Sequence, residues 1–97
     1  MEAGTDPLAV CLAKRTELFQ RRGLGEERAL ELADVLGQRD ADLDDRRICL
    51  ECAHLQRDGG CFAARQGLIP SAAVYLSPVQ TVLQRCGRFE LQKALPC

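Results

Sequence analysis

Cys49 and Cys52 stand at C-x-x-C spacing, and Cys61 and Cys86 follow them. Two thiolates at that spacing can grip one metal ion from a tight turn, and two more complete a tetrahedron of soft donors suited to Zn²⁺. The pattern therefore predicts one structural zinc per chain, held by Cys49, Cys52, Cys61 and Cys86. Asp58-Gly59-Gly60 marks a turn before Cys61, and Gly87 follows Cys86. These glycines are expected to let the backbone come close to the ion. Four protein ligands leave no open coordination position, which is the mark of a structural rather than a catalytic ion. The spacing departs from a zinc ribbon, whose second half normally carries another close cysteine pair.

Other readings of the same residues compete. His54, the only histidine, could replace one cysteine, although two residues after Cys52 it is awkwardly placed to join the same ion. The C-x-x-C pair could be a redox couple, but that chemistry belongs at a helix start after a strand, and no strand pattern precedes Cys49. Export would allow three disulfides among the six cysteines. Cys11 falls on an apolar helix stripe and reads as a small core residue, while Cys97 reads as an unpaired terminal thiol. No constellation of an enzyme is present: there is no phosphate-cradling glycine motif and no partnered nucleophile. Asp40, Asp42, Asp44 and Asp45 lack the glycine and terminal glutamate of a calcium loop and read as solvated charge.

The elements that must position these residues are helical at first. Asp6-Pro7 is a cap followed by a proline at the first helical position. Leu8, Cys11, Leu12, Arg15, Leu18 and Phe19 then recur at three- and four-residue steps, predicting a helix over 7–22 that stops at Gly23. Glu26 and Glu27 open a second helix whose buried face is Ala29, Leu30, Leu32, Ala33 and Leu36. The short link Gly23-Leu24-Gly25 predicts an antiparallel hairpin over 7–38. The charged run 39–47 reads as a solvated linker or short helix leading into Cys49. Ala63 to Gly67 suggests one helical turn, and Ser77-Pro78 with Val79, Val82 and Leu83 predicts a short helix ending at Cys86-Gly87.

A chain of 97 residues suffices for one domain with a modest core. Leu- and Ala-rich composition with 4% aromatics favours helix over sheet. No apolar run approaches the roughly 18 residues needed to span a membrane. Met1 leads into Glu2 and Asp6 rather than a basic region and an apolar stretch, so the expectation is no signal peptide and a reducing cytoplasm. Residues 1–45 carry six Lys/Arg against eleven Asp/Glu, and residues 46–97 seven against three, so net charges of −5 and +4 make up the overall −1. A four-thiolate zinc adds about −2 to the second half, which leaves only a mild positive balance.

The stretch Leu32–Phe89, about 60% of the chain, resembles a small cysteine-rich, zinc-ribbon-like segment of uncharacterised proteobacterial proteins, many of them phage- or plasmid-associated. The matching residues are Arg39-Asp40, Asp44-Asp45-Arg46-Arg47, Cys49, Glu51-Cys52, Cys61, and Leu83-Gln84-Arg85-Cys86 with Phe89. The resemblance implies a zinc-binding accessory domain and carries no activity with it.

The combined expectation is a single small domain over 1–97, mainly α. A two-helix hairpin precedes an irregular half (46–90), stapled by a four-cysteine zinc and carrying a short C-terminal helix. Its function is that of a non-enzymatic module with a protein partner, without membrane or small-molecule substrate. A nucleic-acid role is the first alternative, with Arg46, Arg47, Arg57, Arg65, Arg85 and Arg88 as phosphate contacts. A thiol–disulfide redox protein is the second.

Overall fold

Asp6 caps the first helix, its side chain accepting the Leu8 N–H at 3.0 Å, and Pro7 occupies the first helical position. Helix α1 runs Pro7–Arg21. It ends in a Schellman motif: Gly23, at φ +103°, donates to the Gln20 carbonyl and Leu24 to that of Phe19. Helix α2, Glu26–Ala41, begins at Gly25 with Glu26 and Glu27 in its first turn and packs against α1, so the hairpin forms. It ends in the same way, Leu43 donating to Asp40 O and Asp44 to Arg39 O. Here Leu43, 90% exposed, takes the left-handed position at φ +56° that glycine usually fills, a conformation costing roughly 1 kcal/mol.

The computed structural model describes residues 6–97; Met1 and Glu2, on which the expectation about the N-terminus rests, lie outside the described residues. The chain divides into two compact units, Met1–Asp45 with Lys93–Cys97, and Arg46–Gln92. The first holds Leu18, Phe19, Ala29, Leu32, Ala33, Leu36 and Leu95 in its core.

Two arginines are buried in that unit. Arg15 is 2% and Arg39 3% exposed, and both reach the Asp40 carboxylate: Arg15 Nη2 at 2.7 Å, Arg39 Nη2 at 2.8 Å. The beginning of the charged run is therefore not a solvated linker: it extends α2 and ties it to α1. Burial pushes the Asp40 carboxyl up, but the hydrogen bonds and charges of Arg15 and Arg39 outweigh that and leave it below its ordinary value. A depressed folded pKa contributes stability that is present above the unfolded value of about 3.9 and disappears as pH falls through the folded one. Asp40→Asn removes this contribution. The urea midpoint should thus drop at pH 6, with the gap to wild type closing below about pH 4. A gap that stayed constant with pH would mean that Asp40 titrates alike in both states.

Cys11 is neither a bare core residue nor Cys97 an unpaired thiol, as the sequence suggested: the two form a disulfide with Cα atoms 5.6 Å apart, 86 residues apart in sequence. The remaining cysteines are free. Because Cys11 lies one helical turn before Arg15 on the packed side of α1, burial alone accounted for its position, and nothing local pointed to a partner so far along the chain. A disulfide persists in oxidising surroundings, so this bond runs against the expectation of a wholly reduced set.

The second unit is irregular. It contains a 3-10 turn at Cys49–Glu51 and a four-residue helix α3, Phe62–Arg65. The helix expected over Ser77–Gly87 is absent. This segment is loop, and its backbone groups serve other strips of chain: Gln80 O accepts from Leu50, and Gln84 exchanges both its bonds with Arg47. Those long-range bonds outcompete a short helix of low intrinsic stability. Isolated bridges join Arg47 to Gln84, Cys52 to Leu91 and Leu55 to Cys61, and the described residues contain three α-helices and no strand. At about 41% helix the chain is helical and loop-rich rather than plainly mainly α. No helix among the described residues is long and apolar enough to cross a membrane.

Candidate metal centre

Ile48, Leu50, Leu55, Ala63 and Ala64 form the apolar floor of the second unit, and the cysteines stand around it. Cys49 and Cys52 share one tight turn, closed by Cys52 N–H to Cys49 O at 2.9 Å. Glu51 locks that turn from inside. Fully buried, it accepts the Ile48 N–H on Oε1 at 3.1 Å, and Oε2 lies 3.6 Å from Arg47 Nη1. Cys61 is brought alongside by its bridge to Leu55 and by Phe62 N–H donating to His54 O at 2.7 Å. Cys86 follows two residues after Gln84, whose paired bonds with Arg47 at 2.8 and 2.9 Å place it beside the first pair.

All four sulfur-bearing residues line one cavity of about 30 Å³, together with Ile48, His54 and Phe89. That is room for one or two water-sized bodies. Cys52 is buried, Cys49 and Cys61 half-buried, and Cys86 exposed. Burial pushes the Cys49 thiol up to about 11, and the neighbouring sulfurs of Cys52, Cys61 and Cys86 push in the same direction. Cys52 is also raised, by burial first, although backbone N–H groups of Glu90 and His54 favour its thiolate.

They do not stand closed into a ligand set. Among the described residues no group of three or more His, Cys, Asp or Glu is poised to hold a metal ion. Neutral thiols have no force drawing four sulfurs together; only a cation holds them at about 2.3 Å from a common centre, and such a site rarely exists complete before the ion arrives. What the four residues share is soft-donor chemistry and one cavity.

No family model, curated protein or solved structure matches this chain. Its own residues carry what can be argued about function.

The glycines flanking Cys61 and Cys86 differ in their surroundings. Gly59, at φ +89°, makes the turn after Asp58. A side chain at Gly60 would collide with the Arg65 guanidinium, which pairs with Asp58. Gly87 has open space around it. His54 stacks on Phe62 at 6.1 Å, with Nε2 3.9 Å from Glu90 Oε1, so its ring already has neighbours on a face and an edge. Of the arginines singled out for phosphate, Arg47 lies over the Phe89 ring at 5.4 Å, Arg65 pairs with Asp58, and Arg88 donates to Leu68 O at 3.0 Å. Arg46 and Arg85 also interact within the chain, while Arg57 is exposed.

Two residues of the site, Glu51 and Gln84, lie in the stretches that carry the resemblance, but their residue types alone assign them no role there. Glu51, inside the C-x-x-C, looks like an ordinary exposed charge, and Gln84 looks like a polar position on a helix that does not form.

Proposed function

We propose that residues 46–92 form a non-enzymatic structural zinc module, with Cys49, Cys52, Cys61 and Cys86 holding one Zn²⁺, and that the module serves protein–protein contact. The single observation that carries this is the convergence of four free cysteines from three separate stretches of sequence on one cavity. Zinc there would supply the cross-link that a small core lacks. Glu51 and the backbone pairs around Arg47 and Gln84 hold the turns that aim the thiols. A protein partner fits the exposed apolar side chains of Val74, Tyr75, Val79 and Val82 in a loop of the module. The internal commitments of Arg47, Arg65 and Arg88 make phosphate contact the weaker choice.

Metal analysis of the full chain, refolded with equimolar zinc and passed through a desalting column, tests the metal part. One zinc per chain and protection of four cysteines from alkylation until chelator is added are expected. Protein that emerges metal-free, with those cysteines freely alkylated, would overturn it.

A further inference from the structure

The Gln84 carboxamide donates from Nε2 to Cys49 Sγ at 3.4 Å, across 35 residues of sequence. Sulfur is a long-range acceptor, and this length falls within the ordinary reach of an N–H···S bond. Gln84 is pinned at its own backbone: its N–H donates to Arg47 O at 2.9 Å and its carbonyl accepts from Arg47 N–H at 2.8 Å. Arg47 is two residues before Cys49, so the same backbone pair fixes both ends of the bond. Cys52 has donors of another kind, the backbone N–H groups of His54, at 3.5 Å, and Glu90. Cys49 depends on a side chain.

We propose that Gln84 is a positioning residue of the metal centre, donating its amide N–H to the Cys49 thiolate and thereby tuning that sulfur as a ligand. The inference rests on the zinc reading above. An N–H directed at a metal-bound thiolate stabilises the lone pair on sulfur. It offsets part of the charge that four thiolates bring to one ion and makes the sulfur less nucleophilic. It also orients Cys49 before the ion arrives. The side chain of Gln84 is exposed, and its backbone pairing with Arg47 uses no side-chain atom, so the donor can be removed without emptying the core.

The test uses the full chain carrying Gln84→Met or Gln84→Glu, which remove the donor at similar length, and Gln84→Lys, which restores an N–H. Zinc affinity is read by competition with a chromophoric chelator, and Co²⁺ replaces zinc to report the sulfur-to-metal charge-transfer band. Expected results are about tenfold weaker zinc binding in Met and Glu variants, the low end for loss of an outer partner of a metal ligand. The charge-transfer band should also move to lower energy, and Cys49 should be alkylated faster in the loaded protein. Gln84→Lys should return toward wild type on each readout. A merely structural role would alter thermal stability while leaving the band in place. If the wild-type chain takes up zinc and the Met and Glu variants match it in affinity and band, the Gln84 proposal fails and the zinc reading stands. If wild type takes up neither metal, both fall.

Discussion

Cys52→Ser is expected to abolish stoichiometric zinc binding and to unfold residues 46–92 while sparing most of the helical signal. Cys52 is the most enclosed of the four candidate ligands, and its backbone is bound on both sides, through Cys49 and through the bridge to Leu91. Structural zinc in small modules contributes on the order of 10–16 kcal/mol of apparent binding free energy at neutral pH. The apolar floor of this unit is a handful of Leu, Ile and Ala side chains, which cannot replace such a contribution. The long helices, of 15 and 16 residues, lie in the other unit. Far-ultraviolet circular dichroism should therefore change little, while amide hydrogen exchange over 46–92 rises to near the unprotected rate. Chelation of the wild type should reproduce the pattern. Unchanged exchange protection in Cys52→Ser would mean that side-chain packing alone holds the unit.

Cys97→Ser is expected to produce the second large effect, this time in the helical unit. A cross-link spanning 86 residues restricts the unfolded chain by about 4–5 kcal/mol in the chain-entropy account, a figure that depends on that account. The melting midpoint followed at the α1–α2 helical signal should fall by roughly ten degrees or more, with a matching fall when wild type is reduced. Intact mass under non-reducing conditions gives a prior check, since the disulfide leaves the chain two hydrogens lighter than its fully reduced form. Equal midpoints in the variant and the oxidised wild type would show that the bond adds nothing to the folded balance.

The helical hairpin was legible because its signals are local: the Asp6-Pro7 start, the apolar stripe through Leu18 and Phe19, and the Gly23 stop all act within a few residues. The candidate cysteines were legible as a set by residue type, and the cavity they line is where that pattern becomes spatial. What the sequence concealed depends on distant partners. Arg39 and Asp40 look like part of a wet charge run until Arg15, 25 residues away, reaches the Asp40 carboxylate that Arg39 also holds. Ser77-Pro78 looks like a helix start until Gln80 and Gln84 are spent on Leu50 and Arg47. Cys11 looks like a core residue until Cys97 reaches it from 86 residues away. In each case a contact remote in sequence overrides a local preference worth less than the contact.

The composition of the two units has a consequence for anyone dividing this protein. Residues 46–92 are one continuous stretch, but the other unit is assembled from segments on both sides of it. Leu95 lies in its core at 5% exposure, and Cys97 is bonded to α1. Topologically the cysteine-rich stretch is an insertion in a host whose closing segment is made after it. A ribosome releases α1 and α2 long before Leu95 and Cys97 emerge, so the hairpin must wait, incompletely packed, until the whole insertion has been synthesised. A cut after residue 45 leaves the helices without their closing segment, whereas a fragment confined to 46–92 removes nothing from its own unit.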